Sequence, residues 1–109
     1  MMLDIKSIKK LLNVYPDITK SSPYGDDIEV YYLNEEMFAL LYKDLNPVQI
    51  SLRCDRLLAM HLKDKYESVL NGKDLNPNKW ITVILSGQLS IDEIRDLIRH
   101  SYEITKQLK

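Results

Sequence analysis

Apolar residues recur at helical spacing near both ends of the chain and alternate with polar ones through its middle. At the N-terminal end, Ile5, Ile8, Leu11, Leu12 and Tyr15 share one helical face. This predicts a first helix from Asp4 to about Tyr15. Asp4 is its expected cap, and Pro16 ends it, because the residue before a proline avoids the helical region. Lys6, Lys9 and Lys10 fall on the opposite face, as solvated surface or as a small phosphate-facing patch. Lys20 to Asp27, KSSPYGDD, has the composition of a loop. Strands are expected at Ile28 to Leu33 and Met37 to Lys43, joined across Asn34-Glu35-Glu36 as a hairpin.

After a connection from Asp44 to Pro47, the third strand, Val48 to Cys54, has the cleanest alternation. Val48, Ile50, Leu52 and Cys54 interleave with Gln49, Ser51 and Arg53. The pattern predicts a covered face and a wet one. A second helix follows from Asp55, its expected cap, to about Ser68. Leu58, Leu62, Tyr66 and Val69 form its buried stripe, with Ala59 at the edge. Leu57 and Met60 fall off that stripe, so they either cover a loop or sheet edge or belong to a partner surface. A brief fourth strand lies within Val69 to Leu75, with a turn signal at Asn71-Gly72.

The turn Asn76-Pro77-Asn78 then leads into a fifth strand, Lys79 to Leu85, apolar on both sides of its pleat and expected to be central. The last helix has the strongest start signal in the chain. Ser90 and Glu93 have capping-box spacing, and Leu89 and Ile94 occupy the staple positions. Ile91, Ile94, Leu97, Ile98, Tyr102, Thr105 and Leu108 form its inward stripe. Asp92 with Arg95, Asp96 with Arg99 and Glu103 with Lys106 pair along the outward face. The element order α-β-β-β-α-β-β-α, without repeat or linker, predicts a single two-layer α/β (α+β) domain over residues 1–109. Its sheet should be antiparallel with the helices packed on one face.

Composition narrows the function classes. Hydrophobic residues make up 45% of the 109, enough for a packed core. Fifteen Lys and Arg against sixteen Asp and Glu give a net charge of −1, unlike the strongly basic balance of a dedicated nucleic-acid binder. A local basic patch remains compatible with it. Cys54 is the only cysteine, so an intramolecular disulfide and a Cys-based zinc site are excluded. The N-terminus lacks the apolar core of a signal peptide, and no apolar run reaches membrane-spanning length. A cytoplasmic, bacterial-type protein, monomeric and away from membranes, is expected.

Candidate chemistry is sparse. His61 and His100, the only histidines, do not form the paired-histidine spacing of a metalloprotease. Cys54 alternates inward beside Leu52 and lacks a partnered base. The adjacent acids Asp26-Asp27 and Glu35-Glu36 point apart in extended chain. No phosphate-binding glycine loop is present. The chain is therefore expected to be non-enzymatic, without cofactor or metal. What remains is a polar surface. Arg53, Arg56, Lys73, Asn76 and Lys79 form a basic patch if strand pairing gathers them, with Trp80 and Tyr24 beside it. Cations position phosphate and an exposed aromatic stacks on bases. Otherwise Trp80 is core and the cations are scattered.

The runs ISLRCD (Ile50 to Asp55), LN…KWITVIL (Leu75 to Leu85) and LIRHSYEI (Leu97 to Ile104) resemble the MmcQ/YjbR family. SPYGDD (Ser22 to Asp27) and EEMFALL (Glu35 to Leu41) fit the same pattern in order. The resemblance implies a two-layer α/β fold similar to type III secretion chaperones. It also implies DNA binding through a double-wing arrangement of the sheet, or, by analogy with those chaperones, protein binding. The family's Asn-Lys-x-His-Trp turn is matched at Asn76 and Trp80, whereas Pro77 replaces the lysine and Lys79 the histidine.

Overall fold

A computed structural model describes residues 3–108. The elements in chain order are α1 (Ile5–Leu12), β1 (Ile18–Ser21), β2 (Ile28–Leu33), β3 (Glu36–Tyr42), β4 (Gln49–Arg53), α2 (Arg56–Lys65), β5 (Val69–Asn71), β6 (Trp80–Ile84) and α3 (Ile91–Lys106). The strands form one six-stranded sheet in the order β1-β2-β3-β4-β6-β5, antiparallel at every pairing. The main core lies between this sheet and all three helices, from Ile8 and Leu12 through Leu41, Ile50, Leu52, Ile81 and Val83 to Ile94 and Ile98.

Each predicted cap forms. Asp4 accepts from the Ser7 N–H at 2.8 Å, and Asp55 accepts from the Leu57 and Leu58 N–H groups at 3.1 Å each. Ser90 and Glu93 close a reciprocal capping box. Leu89 and Ile94 are both buried above it. Asp92 pairs with Arg95 and Asp96 with Arg99, each at 3.0 Å. Among the described residues, the third expected pair, Glu103 with Lys106, does not reach ion-pair distance.

Both shorter helices end sooner than their periodicity suggests. Helix α1 stops at Leu12 rather than Tyr15, because the Asn13 amide and backbone N–H both bind the Lys9 carbonyl, at 2.7 and 2.9 Å. Tyr15 packs inward regardless, stacked on Tyr102 with ring centroids 4.1 Å apart. Helix α2 stops at Lys65 rather than Ser68, where Tyr66 turns extended. The Tyr66 hydroxyl then donates to Glu93 at 2.9 Å.

Three features of the sheet differ from the pattern-based expectation. First, part of the stretch from Lys20 belongs to a strand. β1 begins at Ile18, pairs with β2, and is exposed apart from Ile18. A polar edge strand carries no apolar alternation to reveal it, and Lys20 on an edge discourages pairing with another chain. Second, β6 is second from the edge rather than central, although Trp80 to Val83 are buried. Third, the face of β4 expected to be wet is covered. Ser51 is fully buried. Its hydroxyl lies 2.8 Å from the Tyr42 hydroxyl and 2.7 Å from that of Thr82. Val30, Leu40, Tyr42 and Trp80 form a second cluster on this side, roofed by Leu45 and Leu75 from connecting loops.

The β2–β3 hairpin turns on two residues, Asn34 and Glu35, both with positive φ (53° and 69°), as its tight turn requires. Further along, Tyr31 pairs with Ala39 but Tyr32 pairs with Met37. Phe38 is therefore the extra residue of a bulge. Both Phe38 and Ala39 consequently face the helices. Gly72, in the predicted turn after β5, lets the chain pass Trp80: a Cβ there would sit 2.7 Å from the Trp80 Cβ.

The open ends of the same hairpin bring Asp27 and Asp44 together. The Asp44 carboxyl, through a hydrogen bond and then through its charge, holds Asp27 above the usual carboxylate value. A raised folded-state pKa means that the native protein gains stability as pH falls through that value and loses it as pH rises. Asp44→Asn is expected to raise the melting temperature at pH 7, with the gain shrinking as pH falls through the raised Asp27 value and gone below about 4. A gain independent of pH would show that repulsion at this pair is not its source.

Candidate functional site

A groove of about 630 Å³ opens where the N-terminus of α2, the turn before β6 and the C-terminal half of α3 meet. Its position follows from local structure. The Asp55 cap starts α2 directly after β4. The Cys54 N–H donates to the Lys79 carbonyl at 2.8 Å, which sets the turn beside the helix start. The Asp55 N–H donates to His100 Nε2 at 3.1 Å, which ties α3 to the same point. That bond requires an unprotonated Nε2 and leaves the proton of the neutral ring on Nδ1.

Of the six residues proposed from sequence, the structure gathers two as free cations. Arg56 and Lys79 are both exposed and line the groove, one from α2 and one from the turn before β6. Among the described residues neither forms an ion pair. Asn78 lines the groove with them. Asn76 does a different job: its side-chain oxygen accepts from the Asn78 N–H at 2.9 Å, and its carbonyl accepts from Lys79 and Trp80. It holds the turn that presents Lys79.

Trp80 is withdrawn from the surface, and Arg53, although it lines the groove, is half-buried and engaged. They face each other across β4 and β6, and the guanidinium lies 4.7 Å from the indole centroid. Arg53 Nε donates to the Met37 carbonyl at 2.6 Å, and a terminal nitrogen is 3.5 Å from Glu36. Burial lowers the Arg53 pKa, with Glu36 opposing the shift. Trp80 is 4% exposed, so base stacking on it is ruled out by Arg53 and the loops above. The correction has one cause: the sheet face that alternation marked as wet carries its own core. Lys73 is exposed but lines a separate cavity of about 280 Å³ beside Tyr24 and Tyr42, on the side away from the helices. The expected patch is thus two exposed cations in one groove, with the half-buried Arg53 also in its lining, and one cation on the other face.

Most of the lining residues were not part of the predicted set. His100, Glu103 and Gln107 follow at helical spacing on α3, and Asn78 sits in the turn. Their spacing was visible in the sequence, but what they would face was not. Cys54 lies at the groove floor, 3% exposed. Burial, and secondarily the Asp55 charge, push its thiol up to about 11, so it is protonated at neutral pH. Leu57 and Met60 cover neither loop nor sheet edge: they are 74% and 50% exposed.

Six antiparallel strands with three helices on one face and a polar groove at one end define a two-layer α+β domain. The chain belongs to the YjbR family, whose model matches residues 14–104. It is 26% identical over 100 residues to the uncharacterized protein YbdF of Escherichia coli O157:H7, covering 91% of this chain and 81% of that one. The crystal structure of Deinococcus radiodurans protein DR2400, described as a DUF419 domain, is similar at a TM-score of 0.90 and 25% identity, over 97% of this chain and 80% of that one. A protein from Pseudomonas syringae shares the fold at a TM-score of 0.80 and 23% identity, over 94% of this chain and 99% of that one. Among the described residues, no helix is long and apolar enough to cross a membrane.

Proposed function

We propose that this protein is a small, non-enzymatic cytoplasmic module that binds DNA through phosphate contacts from Arg56 and Lys79. The observation that carries this function is the exposure of both on one concave groove, where among the described residues neither is held in an ion pair. Two phosphate contacts imply weak, salt-sensitive binding, in keeping with a net charge of −1. Fluorescence anisotropy with a labelled duplex across a salt series should give a log–log slope near about −1.8. Arg56→Glu and Lys79→Glu should each weaken binding and reduce that slope by about 1. Arg53→Lys should lower stability, through loss of the Nε hydrogen bond and the stack on Trp80, and leave the slope unchanged. Equal affinities for all variants would overturn the assignment.

A second function is supported by Leu57 and Met60, one helical turn apart and exposed on α2. Together they give the solvent side of α2 an apolar surface, on which an apolar segment of a protein partner would bury area. The double variant Leu57→Lys, Met60→Lys should keep the melting temperature and lose any partner that the native chain retains. Retention by both proteins would remove this function.

A further inference from the structure

The groove has more polarity than phosphate binding needs, and of the wrong sign for it. Glu103, on α3, and Gln107, its C-cap, are exposed and line the same groove as Arg56 and Lys79. A surface built only to neutralise phosphate gains nothing from a carboxylate at that place, and like charge there repels the ligand. Leu58, Ile104 and Leu108, all half-buried, make the apolar floor of the groove. A duplex is a convex rod and touches only the rim of such a depression. About 630 Å³ lies within the usual range for pockets that enclose a small ligand.

A single unpaired nucleotide has the complementary chemistry. Its phosphate is anionic, its base has apolar faces, and the base edge carries both donors and acceptors. We propose that the groove takes one unpaired nucleotide, with the phosphate on Arg56 and Lys79, the base against the apolar floor and the base edge read by Glu103 and Gln107. This rests on the nucleic-acid binding proposed above and names which part of the nucleic acid enters. Glu103 then becomes an acceptor for an exocyclic amine, the pairing that favours cytosine. Withdrawal of Trp80 makes the mode one of pocket insertion rather than stacking on an aromatic platform.

The test compares three labelled duplexes by anisotropy: fully paired, bearing one unpaired deoxycytidine, and bearing an abasic residue at that place. The deoxycytidine duplex is expected to bind about tenfold more tightly than the paired one, and the abasic duplex to lose that gain. Glu103→Ala separates the roles of the acid. It should tighten binding to the paired duplex, by removing repulsion, and reduce the gain from deoxycytidine. Glu103 is exposed, and an unchanged melting temperature confirms that the variant folds. Equal binding to all three duplexes, or equal tightening of all three by Glu103→Ala, would overturn nucleotide insertion and leave phosphate binding standing. Absence of binding to every duplex would overturn both.

Discussion

Replacing Phe38 with alanine is expected to destabilise the protein by about 3–5 kcal/mol, the cost of deleting a buried aromatic ring and leaving a cavity. Phe38 is fully buried. Its ring meets Tyr15, Tyr31 and Tyr102 edge-on, at centroid distances of 6.2, 6.4 and 5.8 Å. Those partners come from α1's exit, β2 and α3, so one ring joins three segments distant in sequence. Against a total stability of about 5–15 kcal/mol, the variant would lose a large share. Urea denaturation should show a lower midpoint with the slope unchanged. Phe38→Leu keeps most of the volume and should cost well under half as much. If the alanine variant lost less than about 1 kcal/mol, the aromatic cluster would not be the joint between sheet and helices that its geometry suggests.

The second large effect is expected at Ser101, a fully buried hydroxyl on α3. Its Oγ donates to the Phe38 carbonyl at 2.6 Å and accepts from the Arg53 N–H at 2.9 Å. The bulge at Phe38 frees that carbonyl from the strand ladder, and the end of β4 frees the N–H. Ser101→Ala removes the partner of both, and each unpaired group costs about 1–3 kcal/mol, for a total of about 2–6 kcal/mol. Thr105→Val is the matched comparison. Thr105 Oγ1 donates to the Ser101 carbonyl within the same helix at 2.8 Å, and its loss strands no backbone group of the sheet. It should cost about 1 kcal/mol or less. Equal effects of the two substitutions would mean that the hydroxyl of Ser101 has no special part in seating α3. Phe38 and Ser101 touch, so their effects are not expected to add.

These two residues also mark where the sequence stops being informative. Phe38 looks like one apolar residue in an apolar strand. Its orientation depends on a bulge that puts Phe38 and Ala39 on the same side, and strict alternation cannot express that. Ser101 is polar within an apolar helical stripe, where a hydroxyl has value only if two groups on other strands reach it. The candidate site shows the same boundary. Arg56 and Lys79 were identifiable because each follows a local start signal, the Asp55 cap and the Asn76 turn. Arg53 was misplaced, since its polar alternation matched a wet face while the tertiary structure half-buried it against Trp80.

The sequence by itself determined the elements whose signals are local. The hydrophobic stripe and capping box of α3, the caps of α1 and α2, and β2, β4 and β6 all follow from spacing within a few residues. Such spacing works because a helix or strand exposes its periodicity to whatever covers it, whichever element that is. The tertiary structure alone decided what covers each face. It roofed the far side of the sheet with Leu45 and Leu75, recruited the polar β1 as an edge, and set α3 opposite the start of α2 to make the groove. Those outcomes depend on contacts between segments far apart in the chain, and no short window of residues contains both partners.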